Sequence, residues 1–378
     1  MKPVNSTRLE RWLGAETIAQ LSKAHGDFYA PIAVGGVPGA VYAMPDGDFA
    51  GDLRAGWEMT GLDYVEDWGR RMRRAWRQTV RKSQNTTYAG FSSLSDLISE
   101  ATAGKRREFT FLCVNPATAV VGATYSFWPS QTLPPAGAVG SAAPGGRAPT
   151  DATTGGHPFV NPTGGDTQHF INASVLCSLA GRTVLMYDRI FDVAKTMAST
   201  ADESVTGVPT RYQSSTPGDA DYAGGNFMFV ETQTVIANTG HNWGVAGSSH
   251  ECLYRNQAGT DNQIAPVLAG IAACAAGRLD MPLNRWFFPL ASGDTGVMDL
   301  AQMRCSASVA TGTQSFVIGH PIVWLPSPVL NMVTITDGVN TALNLTRIFD
   351  DACLAMLEVF ATTTTGVVLT GQFSTCAG

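Results

Sequence analysis

NFMFVETQTVI at residues 226–236 and RTVLMYDRI at residues 182–190 are the most strand-like stretches of the chain. Both are rich in aromatic and β-branched side chains, which are enriched in β-strands. Similar stretches recur from residue 108 onward, with turn residues between them at intervals of roughly ten residues. We therefore predict a mainly β chain, with a β-sandwich or jelly-roll domain over residues 91–378.

The rest of this domain contains further strand candidates, one apolar run that is ambiguous between strand and helix, and one long predicted loop. Residues 263–275 fit a strand or a helix equally well, because periodicity does not separate short apolar runs. Residues 129–166 are rich in Pro, Gly and Ala, which predicts a long loop that is mobile or ordered against a neighbouring subunit. The further strand candidates are Glu108–Val114, Ala119–Trp128, Gln168–Leu176, Ala301–Ala310, Ser315–Leu325, Cys353–Thr362 and Gly366–Phe373.

Residues 1–90 form a smaller, α-helical N-terminal region that we interpret as an anchor or docking region. Leu9–His25 has apolar side chains near helical spacing, and residues 63–82 predict a second helix. A third short helix, Phe91–Gly104, opens the β domain, with serines available to cap its start and Gly104 to end it.

The second of these helices carries the strongest candidate for a binding surface. Apolar side chains four residues apart form one stripe, and arginines form a second stripe beside it. Tryptophan and arginine dominate protein interfaces, so we predict docking on another protein. A solvated face above a core and a contact with nucleic-acid phosphates are the alternatives. The predicted docking residues are Trp68, Arg70, Met72, Arg74, Trp76, Arg77, Val80 and Arg81.

Composition narrows the class of protein further. Charged residues make up 15% of the 378 residues, against about 25% in typical soluble domains. This leaves much surface for neutral contacts and favours a subunit of a larger assembly. The net charge of −6 argues against a general nucleic-acid binder. No apolar stretch approaches the ~18–20 residues of a membrane span, and the polar start, Met1–Leu13, predicts synthesis in the cytoplasm without export.

The seven cysteines are odd in number, widely spaced and without a C-x-x-C pair. We predict buried free thiols, since this pattern fits neither a zinc ribbon nor a disulfide framework. Cys376 lies near the end of the chain, so we expect it to be the most exposed of the seven and the most able to cross-link.

No known catalytic motif is present in the sequence, which lacks a P-loop, a Rossmann fingerprint and a G-x-S-x-G elbow. A metal site built from His241, His250 and Glu251 is conceivable, although the spacing matches no helical ligand pair. A pair of carboxylates acting on glycans is a further alternative. We predict no catalytic residues, no cofactor and no metal.

Three short segments are distinctive: FPLASGDTGV at residues 288–297, GHPI at residues 319–322 and RIFDDACL at residues 347–354. They resemble segments of a group of virion structural proteins of tailed bacteriophages. FSSLSDLI at residues 91–98, which leads into KRREF at residues 105–109, resembles the start of the same group's β domain. The resemblance covers most of residues 91–378. It implies a particle component on the head and transfers no functional residues.

We therefore expect a capsid-associated decoration or cement protein that binds and reinforces a phage head without catalysis. Its expected partners are capsid proteins and other copies of itself, with a trimer at local threefold positions of the shell. The alternatives are the major capsid protein, which would show a long spine helix, and a tail or receptor-binding protein with exposed aromatic side chains. A glycan-acting enzyme would instead show a deep cleft with two close carboxylates.

Overall fold

A computed structural model describes residues 90–114, 119–237, 240–246, 251–309, 312–341 and 346–378. This part of the chain is mainly β, as predicted, with two short helices. The helices predicted at Leu9–His25 and residues 63–82 lie outside the described residues. Within those residues, no helix has the length and apolar character needed to cross a membrane.

Eighteen strands and two helices make up the described part, and most of the strands are short. The helices are α1 (Leu94–Glu100) and α2 (Gly338–Thr341). The strands are β1 (Arg106–Val114), β2 (Tyr125–Ser126), β3 (Gln168–Cys177), β4 (Arg182–Lys195), β5 (Glu203–Ser204), β6 (Phe227–Thr234), β7 (Ile236–Ala237), β8 (Asn242–Trp243), β9 (Leu253–Asn256), β10 (Gln263–Ile264), β11 (Leu268–Ala269), β12 (Ala273–Cys274), β13 (Val297–Met303), β14 (Thr313–Ser327), β15 (Thr334–Asp337), β16 (Arg347–Ile348), β17 (Leu354–Val359) and β18 (Val368–Ala377).

Two five-stranded antiparallel sheets form the framework. The first sheet has the order β1-β18-β3-β15, with β16 also paired to β3. The second sheet has the order β2-β17-β4-β14-β6. The connection between β4 and β14 forms three smaller sheets. One has four strands in the order β10-β9-β13-β5, and the other two are the pairs β11–β8 and β12–β7.

The second sheet is buried on both faces. Along β4, Val184 and Met186 point into a core shared with the first sheet, here called the inter-sheet core. Leu185 and Tyr187 alternate with them and point into a second core, here called the outer core. Alternation of this kind follows from the two-residue period of a strand. The near-continuous apolar run of residues 184–187 is therefore what a strand between two layers requires.

Each core joins strands that are distant in sequence. The inter-sheet core brings Phe111 of β1 and Phe373 of β18 together with Met356 of β17. The outer core packs Trp243 of β8 and Leu300 of β13 under the second sheet. The connection between β4 and β14 thus forms a third layer over the second sheet.

The start of the β domain matches its prediction closely. Ser93 caps α1, because its Oγ accepts a hydrogen bond from the Asp96 backbone N–H at 3.1 Å. A π-helical turn continues α1 through Lys105, and within it Gly104 has φ +89°. Glycine adopts this left-handed conformation at little cost, so the helix ends there and β1 begins.

Three strand predictions differ from the structure. Residues 119–128 contain only β2, because a turn at residues 120–123, with Gly122 at φ +79°, interrupts the run. β13 starts earlier than predicted and ends at Met303, after which Cys305 pairs singly with Trp243. Residues 263–275 form β10, β11 and β12 rather than one strand or a helix. Pro266, which has no N–H to donate, lies between the first two of these.

The segment 129–166 packs against its own chain. The Trp128 side-chain N–H donates to the Ala138 carbonyl at 2.9 Å. The Arg147 backbone N–H donates to the Asp192 carbonyl at 2.7 Å, and the Asp192 N–H donates back at 2.9 Å. The His157 backbone N–H donates to the carbonyl of Leu354 in β17 at 2.8 Å. The segment is therefore ordered along β4 and β17, by contacts within one subunit.

All seven cysteines are free and buried, as predicted. The expectation that Cys376 is exposed is wrong, because β18 lies between β1 and β3, and Phe91 and Leu97 cover the thiol. Burial raises the pKa of the Cys376 thiol above its usual value, and it raises that of Cys113 to about 12. Thiols in this state are poor nucleophiles.

The close approach of β18 to β3 predicts that Gly371 cannot be replaced without loss. A Cβ at this position would lie 2.1 Å from the Ser174 carbonyl oxygen. We expect Gly371→Ala to lower the free energy of unfolding by ~1–3 kcal/mol, measured by urea unfolding of the full chain. Gly145→Ala is the control, since a Cβ there meets nothing within 4 Å. Equal losses in both variants would contradict the packing of the first sheet.

Candidate functional site

The predicted docking residues lie outside the part of the chain that the structure describes. Trp68, Met72, Trp76 and Val80, with Arg70, Arg74, Arg77 and Arg81, all belong to residues 1–89. Their docking role stays a prediction. The described residues offer four other features that bear on function: a buried ion-pair network, a set of buried histidines, an exposed apolar surface with its groove, and a group of aromatic side chains.

The ion-pair network is centred on Arg189 of β4. The Arg189 guanidinium binds both carboxylate oxygens of Glu231, at 3.1 and 2.8 Å, and one oxygen of Asp192 at 2.7 Å. All three side chains are fully buried. Arg147 adds two further bonds to Asp192, at 3.0 and 2.6 Å. The Trp128 ring lies 4.4 Å from the Arg189 guanidinium carbon, a cation–π contact.

Asp188, the residue before Arg189, anchors a second pair. Its two carboxylate oxygens each accept a bond from Arg211 at 2.8 Å, and one also accepts the Cys353 backbone N–H at 2.9 Å. Burial raises the pKa of Asp188, and the bonds from Arg211 oppose that rise. Together with the first cluster, three guanidinium groups neutralise three carboxylates around β4.

This network joins strands rather than presenting reactive groups to a cleft. Arg189 belongs to β4 and Glu231 to β6, and β14 lies between these strands. The bidentate bond therefore spans the width of three strands. None of these residues was predicted from the sequence to have a functional or structural role. The signal was present, because an Asp-Arg pair and a Glu interrupt the two apolar stretches quoted at the outset.

The histidine proposed as a metal ligand has a different role. His241 Nε2 lies 2.6 Å from Asp280 Oδ2, and the Trp243 ring N–H donates to the same oxygen at 3.0 Å. His250 lies outside the described residues. Among those that are described, no three His, Cys, Asp or Glu side chains are placed to hold a metal ion.

Two other histidines are buried as neutral rings. His157 lies edge-on to Phe111 and Phe373, with ring centroids 5.8 and 6.3 Å away. Neither of its ring nitrogens has a hydrogen-bond partner among the described residues. Burial lowers the pKa of His157 to about 3 and that of His169 to about 4. Both therefore resist protonation until the solution is strongly acidic.

An exposed apolar surface lies at the margin of the first sheet. The apolar ridge consists of Val329, Leu330, Met332, Val333 and Ile335, whose side chains are between 48% and 69% exposed. It runs from the end of β14 into β15. Residues 329–335 contain no charged side chain. Soluble monomers rarely expose a contiguous apolar patch of this kind unless it serves an interaction.

The apolar ridge borders a groove of about 350 Å³. The groove lies between α1 and the outer face of β3, β15 and β18, and Ile335 belongs to both groove and ridge. The residues that line this apolar groove are Leu94, Leu97, Ile98, Ala101, Arg106, Ile171, Asn172, Ile335, Asp337, Val339 and Cys376.

A third exposed feature is a group of aromatic side chains on the second sheet's side of the molecule. Trp286 lies edge-on to Trp324 and to Phe287, with ring centroids 5.4 and 5.0 Å away. Phe287 and Trp324 are each 41% exposed. The Trp324 carbonyl accepts a bond from the Thr336 hydroxyl at 3.4 Å, which places this aromatic group next to β15.

Comparison with known proteins gives little further information. No protein-family model and no curated protein matches the chain. Among solved structures, the VP2 subviral particle of infectious bursal disease virus aligns over 72% of this chain and 80% of that chain, at 12% identity and a TM-score of 0.13. A D431N mutant VP2 of the same virus, in derived T=1 particles, aligns with 10% identity and a TM-score of 0.15 over 72% and 77% of the two chains. Similarity this weak supports no conclusion about fold or function.

The buried network predicts a large loss of stability when its central cation is removed. We expect Arg189→Met to lower the free energy of unfolding by ~3–5 kcal/mol, because buried Glu231 loses its cation and Asp192 keeps only Arg147. Arg255→Met is the control, since its pair with Asp261 is exposed and 3.5 Å long. That variant should lose less than ~1 kcal/mol. Urea unfolding of both full-length variants makes the comparison, and similar small losses would contradict the central role of Arg189.

The buried histidines predict acid sensitivity with a defined sign. The pKa of His157 is lower in the folded chain than its ordinary value near 6.5, so the unfolded chain takes up the proton first as the pH falls. Stability is therefore unaffected above about pH 6.5 and declines by ~1.4 kcal/mol per pH unit toward pH 3. We expect His157→Leu to remove this part of the decline. Unfolding measured from pH 8 to pH 4 checks it, and parallel curves for the two proteins would contradict it.

Proposed function

We propose that this chain is a structural component of a virus particle, and most specifically a capsid-associated protein of a tailed-phage head. It binds and reinforces the shell through contacts with capsid proteins and with other copies of itself, and it carries out no catalysis. It is made in the cytoplasm of the bacterial host. The single observation that carries the proposal is the uncharged apolar ridge beside the apolar groove.

Two properties of the described residues support this function. The apolar ridge exposes side chains to water, which is unfavourable in free energy unless another surface covers them. The second sheet, by contrast, is enclosed on both faces and tied by buried ion pairs, which suits a rigid building block. A rigid interior with a neutral, apolar margin is what a packed assembly needs from its subunits.

The finer details of the proposal follow from symmetry and from the two-sheet framework. The β domain is a jelly-roll-like module, with its two large sheets packed across the inter-sheet core. Its oligomer is a trimer at local threefold positions of the shell, which matches the symmetry of those positions. The resemblance of residues 288–297 and 347–354 to phage virion proteins supports the same placement on the head.

A second candidate function is favoured by the exposed aromatic group. Phe287 and Trp324 expose apolar rings to solvent on either side of the partly buried Trp286, as sugar-binding faces do. In this alternative, the chain is a tail or receptor-binding protein that contacts a glycan on the host surface. It differs from the first candidate in copy number, because tails and unique vertices are present only a few times per particle.

The copy number of this protein in purified particles tests the proposal. We expect quantitative mass spectrometry to find hundreds of copies per particle, close to a whole-number ratio with the major shell protein, because shell symmetry repeats every contact. About a dozen copies or fewer would move the protein to the tail or a unique vertex. Absence from the particle would overturn the structural role and return attention to a glycan-acting enzyme.

A further inference from the structure

The partner of the exposed apolar surface can be inferred from its shape. The exposed apolar ridge adjoins the apolar groove, and Ile335 belongs to both. Across a twofold axis, the same patch meets itself with its two parts exchanged. The ridge of each copy then faces the groove of the other, so that both grooves are filled. A single face that carries both shapes is self-complementary.

The charges around the groove point to the same partner. Lys105 is held by Glu100 and Asp166, each at 2.7 Å, and Arg106 is paired with Glu108. Asp337 accepts the Val339 backbone N–H at 2.9 Å. The two basic groups here are thus paired with carboxylates of the same subunit, and the Asp337 carboxylate has a hydrogen bond within its own loop. A twofold contact brings each group near its own copy, so it is tolerated only where charges are compensated internally.

The edge of the first sheet gives a third argument. β15 is an outer strand that pairs with β3, and in the described residues its other edge makes no backbone–backbone hydrogen bond. The opposite edge strand, β1, is protected. Its Leu112 pairs with Leu133, and exposed Arg106 and Arg107 lie at its start. Open apolar edges pair readily with another strand, whereas charged or covered edges do not.

We propose that the apolar ridge, the apolar groove and the free edge of β15 together form a contact between two copies of this chain across a twofold axis. The contact rests on the proposed assembly function and specifies one surface for it. It links two subunits directly, or two trimers through one subunit of each. The ridge side chains of each copy fill the groove beside α1 of the other.

Sedimentation equilibrium of the full chain over a range of concentrations tests this contact. We expect the wild type to associate reversibly. Ile335→Asp should raise the dissociation constant at least ~10-fold, as removal of a central interface residue does. Val208→Asp is the matched control, since Val208 is similarly exposed but lies outside the ridge and groove. It should associate as the wild type does. Circular dichroism confirms that both variants fold.

Cysteine cross-linking gives a second readout that does not depend on weakening the contact between the two copies. All seven native thiols are buried, so an added cysteine on the surface supplies the accessible thiol. We expect Thr334→Cys to form a disulfide-linked dimer under mild oxidation, because the two β15 edges meet near the axis. Val208→Cys should stay monomeric on a non-reducing gel under the same conditions.

Two results would overturn the inference. The first is a wild type that does not associate at all, and the second is an Ile335→Asp variant that associates as the wild type does. If that variant also fails to enter particles, the face binds another particle protein instead. Self-association through this face by a protein absent from particles would instead reject the proposed function alone.

Discussion

Arg189 and its carboxylates impose the constraint on which the second sheet depends. Three strands must stay in register for the Arg189 guanidinium of β4 to reach Glu231 of β6 across β14. A one-residue slip would turn these side chains into an apolar core and leave charges unpaired, at a cost of several kcal/mol. The apolar alternation of β4 alone would accept more than one partner register. The ion pairs therefore specify the arrangement that the hydrophobic cores then stabilise.

The buried network takes up a large share of the few charged side chains in the chain. Several of its few charged side chains are enclosed: Asp188, Arg189, Asp192, Glu231 and Glu358 are buried, as are Arg182 and Arg211. The surface is therefore poorer in charge than the composition suggests, and the apolar ridge has none at all. Placing the charges in the interior both fixes the pairing of the strands and leaves the apolar ridge uncharged.

The sequence predicted the elements that local chemistry governs. The cap at Ser93, the end of the helix at Gly104 and the long strands β4, β6 and β14 follow from residue type and periodicity. It did not predict that residues 129–166 lie along β4, or that Cys376 is covered, since both depend on contacts distant in sequence. The apolar ridge was missed for a related reason. An apolar run reads as core until its exposure is known.

The order of strands in the sheets sets a condition on how the chain becomes folded. β18 lies between β1 and β3, and β17 lies against β4, so each large sheet waits for strands from the last part of the described chain. Non-local pairings of this kind are slow, because loop closure must precede the contacts that reward it. Until β18 has been synthesised, β1 and β3 remain open edges. Neither sheet can therefore be completed before β17 and β18 have been synthesised, and until then the growing chain needs protection from its own unpaired strands.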